Sequence, residues 1–366
     1  MRVLVVNAGS LSVKLRVVDE RDQVVAGTDL GPPDDRLAAQ LGDFVAPLAG
    51  EIDVAGHRVV HGGPRYTNAV LIDDATRTDL AGLLELAPLH NPPALAAIDA
   101  VRAILPGVPS VACFDTAFHA GLSSDAAAYA VPAEWVTRWG IRRYGFHGLS
   151  CAWATRRTAE LLSQPADELR TVICHLGGGA SVSAVVGGRS VDTSMGFTPM
   201  EGLVMATRCG DLDPGVLLWV LQHGLTVSEA NDALEHRSGL LGLAGGSSSD
   251  MRRLLAGRAD GDELAGRAIG VYVHRLRAKI AAMVAAMQGA DVLVFTGGVG
   301  EHSAPIRAEA CGGLAWLGAV IDASTNDAVG DADVEISAVG AAVRTIVVHA
   351  REDLQVAREC RTVLGL

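Results

Sequence analysis

The chain has 366 residues, 49% of them hydrophobic and 20% charged, enough for a substantial buried core and longer than one average domain. A formal net charge of −12 argues against nucleic acid or an anionic membrane surface as partner, because both reward a basic face. Six scattered cysteines without a C-x-x-C pair, no bilayer-length apolar run and no signal-peptide anatomy predict a soluble, cytoplasmic protein with reduced thiols.

In chain order, residues 3–18 read as strand, tight Asn-Ala-Gly-Ser turn and second strand, with Val13, Leu15 and Val17 alternating against Ser12, Lys14 and Arg16. Val54–Val60 and Pro109–Phe114 read as strands, and Pro93–Leu105 and Ser150–Leu162 as helices. Residues 171–186 repeat the opening design around Gly177-Gly178-Gly179, which leaves internal duplication as one of two open readings. Asp262–Gln288 carries Ile269, Val273, Leu276, Ile280, Val284 and Met287 at helical spacing and leads into a buried-type strand, Asp291–Thr296. A last strand, Arg344–His349, precedes a helix near Glu352–Val363. This alternation predicts an α/β architecture with mixed sheets.

Three glycine-rich turns directly follow apolar strands: Asn7–Ser12, His175–Gly179 and Gly297–Glu301. Such turns present backbone N–H groups at close range and suit phosphate oxygens. Neither lysine, Lys14 or Lys279, completes a Walker A loop, and His57-Arg58, His236-Arg237 and His274-Arg275 all lack the aspartate of a protein-kinase catalytic loop. GGVGEH stops short of a dinucleotide fingerprint, and no G-x-S-x-G elbow supplies a hydrolase nucleophile. Phosphate binding by β-hairpins, one per half, is the reading left.

Arg58 interrupts an apolar strand that ends at Gly62-Gly63, and Arg208 sits in the glycine-bounded turn Thr207–Gly210. A guanidinium fork suits carboxylate and phosphate oxygens, yet from the residues alone both remain equally readable as surface arginines. His57 and His61 have the spacing of a helical metal pair, but Val59-Val60 favours a strand, along which four residues span roughly 13 Å. Zinc is therefore not expected.

Together NAGSLSVK, GHRVVHGG, ELAPLHNPPAL, FDTAFH, YGFHG, CHLGGGAS, SMGFTPMEGL, TRCGDLDPG, FTGGVGEHS and the Glu352 segment resemble the acetate kinase family, within the sugar kinase, actin and heat-shock ATPase group. The resemblance runs along essentially the whole chain. It implies two duplicated RNase-H-like domains around a central cleft: residues 1–119 with a returning helix over 354–366, and residues 120–353, joined at FDTAFH. It also implies reversible phosphoryl transfer between ATP and acetate, giving acetyl phosphate and ADP, in a homodimer.

Position by position, the resemblance assigns Arg58, Asp115, His147 and Arg208 to catalysis. Asn7 and Glu352 fall around Mg²⁺ (Mn²⁺ as substitute), and Arg58, Val60, Leu89, Phe146 and Pro199 around the small carboxylate. Lys14, His175, Leu176, Gly177, Gly178, Gly179, Asp250, Met251, Arg252, Gly298, Val299, Gly300, Glu301 and His302 fall around the nucleotide. A carboxylate nucleophile is already ionised at neutral pH, so Asp115 is expected to orient Arg58 or His147 and not to abstract a proton. Three departures bear on nucleotide contacts: Gly178 and His302 stand where the family usually has asparagine, and Ala350-Arg351-Glu352-Asp353 replaces Thr-Asn-Glu-Glu. Propionate or butyrate kinase is the rival within the class, because one methylene changes discrimination by only about 1–3 kcal/mol. An actin- or heat-shock-type ATPase module would share the phosphate loops without needing Arg58, Arg208 and His147 together.

Overall fold

Alternating apolar residues fold into two six-stranded mixed sheets in a computed structural model that describes residues 1–9, 12–34, 36–84 and 91–365. In the first sheet, β1 Val3–Ala8, β2 Val13–Val18 and β3 Val24–Leu30 form an antiparallel meander. β4 Val54–Val59 and β6 Ser110–Phe114 lie parallel to β1, and β5 Val70–Leu71 closes the edge, giving the order β3-β2-β1-β4-β6-β5.

The second sheet repeats this order as β9-β8-β7-β10-β12-β11. Its strands are β7 Arg170–Leu176, β8 Ala180–Val186, β9 Arg189–Thr193, β10 Val292–Thr296, β11 Val334–Glu335 and β12 Arg344–Val347. The repetition extends to register. If Val6 is set against Cys174, the pair Val3–Val54 falls on Thr171–Val292, Ala55–Ser110 on Leu293–Thr345, and Val70–Ala112 on Val334–Val347. Even the irregularity between Val17 and Val18 recurs between Ala184 and Val185. The fold is a duplicated α/β unit of the actin-like ATPase type.

The chain divides into a first unit of Met1–Ala120, Phe146–Trp153 and Arg351–Leu366, and a second of Gly121–Gly145 and Ala154–Ala350. In the first unit, period-two alternation sends Leu4, Val6, Ala55, Leu15 and Val17 to a core shared with the helices Leu37–Val45 and Asn91–Ile104. The opposite face is covered by the helix Glu352–Val363, which packs on β1, β4 and β6. In the second unit the helix Glu263–Ala286 lays Ile269, Val273, Leu276 and Ile280 across β7 and β8, and Asp262 caps its first turn. Met283 is buried there where the spacing pointed to Val284, which is only half-buried.

Candidate active site

In the first unit, strand parity decides which side chains meet. Asn7, Arg58 and Asp115 share the face that carries Val5, Gly56 and Cys113, and that face lies under the helix beginning at Glu352. Asn7 and Arg58 stand at the carboxyl ends of β1 and β4, and Asp115 follows the last residue of β6. Arg58 is not a surface arginine: its side chain is 18% exposed and that of Asp115 is 1%.

The Arg58 fork donates from Nε to Asp115 Oδ1 at 3.0 Å and from Nη2 to Oδ2 at 2.5 Å, a bidentate pair. Its Nη1 donates to Asn7 Oδ1 at 3.0 Å, and Asn7 Nδ2 donates to Glu352 Oε2 at 3.1 Å, which itself lies 3.6 Å from Arg58 Nε. Burial alone would lower the Arg58 pKa, but Asp115 and Glu352 more than offset it, and the guanidinium is held above its ordinary value. Burial pushes the Asp115 carboxyl up against the pull of Arg58. Lys14 is exposed and pairs with Asn7 across the hairpin. Arg351, whose charge beside Glu352 was a departure from the family, turns instead to Asp353 at 3.0 Å.

Val60 and Phe146 are buried in this unit, and the His61 ring meets Phe146 edge-on at 5.5 Å. Leu89 lies outside the described residues. His147 adopts a left-handed backbone with φ of 59°, and the following Gly148 N–H donates to the Asp115 carbonyl at 2.8 Å. The strand end that carries Asp115 thus also holds the His147 turn.

In the second unit the equivalent strand ends expose backbone instead of charge. The hairpin His175–Gly179 is closed by Gly177 N–H donating to the Gly179 carbonyl at 2.9 Å. The Gly178 carbonyl accepts from Ala206 N–H at 3.0 Å, which ties the hairpin to the turn bearing Arg208. Arg208 Nη1 donates to the Pro199 carbonyl at 2.6 Å, and among the described residues no carboxylate bonds to it. Burial lowers its pKa, and Glu235 compensates only in part.

The third glycine segment is corrected by the structure: Gly297–His302 is a short helix, not a turn. Gly297 has φ of 76°, and a Cβ there would meet the Leu176 carbonyl oxygen at 2.9 Å, so this segment packs directly on the His175–Gly179 hairpin. Glu301 Oε1 accepts from Gly297 N–H at 2.7 Å and Ala350 N–H at 2.9 Å, so it closes the ends of β10 and β12 and is turned inward. His302 is exposed and stands 6.0 Å from the His349 ring. Asp250 caps the helix Met251–Ala259 and pairs with Arg252, so these two bond to each other instead of to the loops.

The acetokinase family profile matches residues 35–358. The chain belongs to the acetokinase family. An acetate kinase of Dictyoglomus turgidum is 41% identical over all of this chain and 98% of its own. Among solved structures, an acetate kinase of Porphyromonas gingivalis matches with a TM-score of 0.92 at 34% identity, covering 99% of each chain. A propionate kinase of Francisella tularensis matches at 0.91 and 35%, covering 98% of each.

Two further residues received no role from the sequence. Asn91 is 1% exposed, and its amide accepts from His61 N–H at 3.2 Å and donates to the His61 carbonyl at 3.3 Å, clamping the segment after β4. Arg307, also 1% exposed, donates to the carbonyls of Gly300, Glu301 and Asn326 and to Asn326 Oδ1, fixing the end of the Gly297–His302 helix. In an arginine-rich chain nothing in sequence separates such an arginine from a solvated one.

Proposed function

We propose that this chain catalyses reversible, direct in-line phosphoryl transfer between ATP and acetate, giving ADP and acetyl phosphate. The observation that carries this reading is the arginine Arg58, pinned by Asp115 and Asn7 at the strand ends of a chain that matches acetate kinases along its length. Both reactants are anions, so the barrier is largely charge repulsion and alignment. Arg58, pre-set by Asp115, holds the carboxylate or the migrating phosphoryl in one orientation without reorganising during the reaction. Arg208, held by a carbonyl alone, keeps donors for the phosphoryl oxygens, and His147 adds another.

Phosphates bind to the backbone of His175–Gly179, with Lys14 near them. The adenosine end lies with Asp250–Arg252 and Gly298–His302. Val60, Phe146 and Pro199 would supply the apolar wall for the methyl group. Asn7 and Glu352 would hold Mg²⁺ or Mn²⁺, whose positive charge offsets the phosphate oxygens. Glu352 Oε2 accepts from the Asn7 amide nitrogen, and one carboxylate with one neutral amide would suit an ion that keeps several waters and completes its shell with phosphate. We propose two domains, residues 1–119 with 354–366 and residues 120–353, bounds from which the first unit departs in also holding Ala120, Phe146–Trp153 and residues 351–353.

The test is hydroxylamine trapping with ATP, Mg²⁺ and acetate, propionate or butyrate in parallel. Acyl-hydroxamate from acetate is expected, and none from any acid would sink the reading. A propionate preference is the second reading, favoured by the equal match to a propionate kinase structure, and faster propionate turnover would select it.

A homodimer is part of the proposal. The helix Pro214–Gln222 is apolar all round yet has no buried residue, leaving Leu218 59% and Trp219 58% exposed. Light scattering should give twice the 37.9 kDa chain mass, and Trp219→Asp should return it to one chain. Among the described residues no helix is long and apolar enough to cross a membrane, and ATP-dependent chemistry suits a cytoplasmic setting.

A further inference from the structure

Among the described site residues His147 is the one non-glycine residue with a left-handed backbone, and that conformation costs a β-carbon-bearing residue roughly 1–2 kcal/mol. Such a turn persists only where its surroundings over-determine it. One anchor is the Gly148 N–H, which donates to the Asp115 carbonyl in an approach so close that a Cβ on Gly148 would fall 2.2 Å from that oxygen. The second is His119. Its Nε2 lies 3.0 Å from the carbonyl oxygen of Phe146, the peptide group that enters His147.

We propose that His119 is a positioning residue, its Nε2–H holding the Phe146–His147 peptide so that His147 keeps its left-handed turn beside Asp115. This rests on the reading of His147 as a phosphoryl donor given above. A carbonyl oxygen can only accept, so His119 must carry its proton on Nε2. His119 is fully buried at the end of the short helix Ala117–His119, four residues beyond Asp115. One short stretch after β6 therefore grips the His147 turn at both of its peptide groups, Phe146–His147 through the His119 ring and His147–Gly148 through the Asp115 carbonyl. Burial lowers the His119 pKa to about 4, so the ring stays neutral through the working range and the clamp does not titrate away.

A purely packing histidine would cost stability when replaced and would leave the chemistry of His147 untouched. A positioning histidine gives a different pattern. His119→Leu is expected to lower kcat about 10- to 100-fold, the usual consequence of misplacing a catalytic group by an ångström, with KM for ATP unchanged. His119→Gln, whose amide carries a donor at similar reach, should recover most of that loss. The deciding measurement is the double-mutant cycle: in a His147→Ala background, His119→Leu should produce no further fall in kcat. An equal fall in both backgrounds would overturn the proposal, and so would an unchanged kcat in the single variant.

Full activity in His147→Ala alone would instead remove the reading of His147 on which this one stands. Should His119→Leu fail to fold, ¹⁵N-histidine spectra of the native protein still decide. The resonance lost in His119→Gln must belong to a neutral ring protonated on Nε2 from pH 6 to 8. A ring protonated on Nδ1 alone cannot donate to Phe146 and would end the proposal.

Discussion

The two units share one sheet, residue for residue, and differ in what stands at the ends of three strands. Asn7, Arg58 and Asp115 of the first unit occupy the register positions of His175, Thr296 and Ala350 in the second. In the first unit three side chains and Glu352 make a hydrogen-bonded charge cluster. In the second, the same ends are closed by Glu301 gripping backbone N–H groups, and glycine loops present the main chain. The fold therefore lives in the shared register, while the two copies differ in what their strand ends carry.

The comparison is broken most sharply at its arginines. Arg58→Ala should lower kcat by roughly 10²–10³ and also destabilise by about 3–5 kcal/mol, because Asp115 is left buried and unpaired. Arg208→Ala should lose a similar factor in kcat with little change in melting temperature, because among the described residues no carboxylate pairs with it. Paired steady-state kinetics and calorimetry read both, and equal stability losses would erase the distinction between an arginine pinned by a carboxylate and one held by a carbonyl. Asp115→Asn belongs between them. It should retain measurable turnover while weakening the Arg58 geometry, and near-native kcat would show that Arg58 needs no such partner.

Acid separates the units next. His57 is buried in β4 with no hydrogen-bond partner at either ring nitrogen among the described residues, and burial lowers its pKa to about 3. Burial also lowers His61 and His119 to about 4 each. All three belong to the first unit. Unfolded, they bind protons from about pH 6.5 downwards while the folded forms do not, so stability is present above that value and falls as pH drops toward 4. Between pH 6.5 and 5 each should cost roughly 1–2 kcal/mol. Hydrogen exchange should show the first unit losing protection before the second, and His57→Leu should flatten the dependence.

The smallest effect is expected at Gly178. A Cβ there would meet nothing within 4 Å, so Gly178→Asn should fold normally and restore the side chain usual at this point in the family. A few-fold lower KM for ATP is the expected gain, and an unchanged value would show that backbone donors alone bind the phosphates.

How much of this was legible in the sequence follows the same division. Apolar runs gave β1 and β7, period-two alternation gave β2 and β8, and helical spacing gave Glu263–Ala286, because all depend on local pattern alone. The meeting of Asn7, Arg58, Asp115 and Glu352 needed strand parity together with a helix that returns from the far end of the chain. Resemblance supplied that; spacing could not. Gly297–His302 reads as a turn because glycine suits turns, yet Arg307, itself anchored by the more distant Asn326, grips its carbonyls and holds it helical. The contacts of Asn91, His119 and Arg307 went unassigned for a common reason, although Asn91 and His119 lie in ELAPLHNPPAL and FDTAFH: each acts on carbonyl or amide groups of the backbone, which carry no sequence signature.

The helix Glu352–Val363 also has a consequence for how the protein is made. Glu352 follows Phe114, the last residue of β6, by 238 residues. At about 5–20 residues per second, a ribosome needs roughly 10–50 s to bridge that interval. Throughout it the nascent first sheet has one apolar face uncovered and the Arg58–Asp115 pair unroofed. The second unit, contiguous apart from one short excursion, can finish while the first is still waiting. Chaperone demand during synthesis should therefore fall on the half that emerges first, and shifting the helix coding segment to the front of the gene would relieve it.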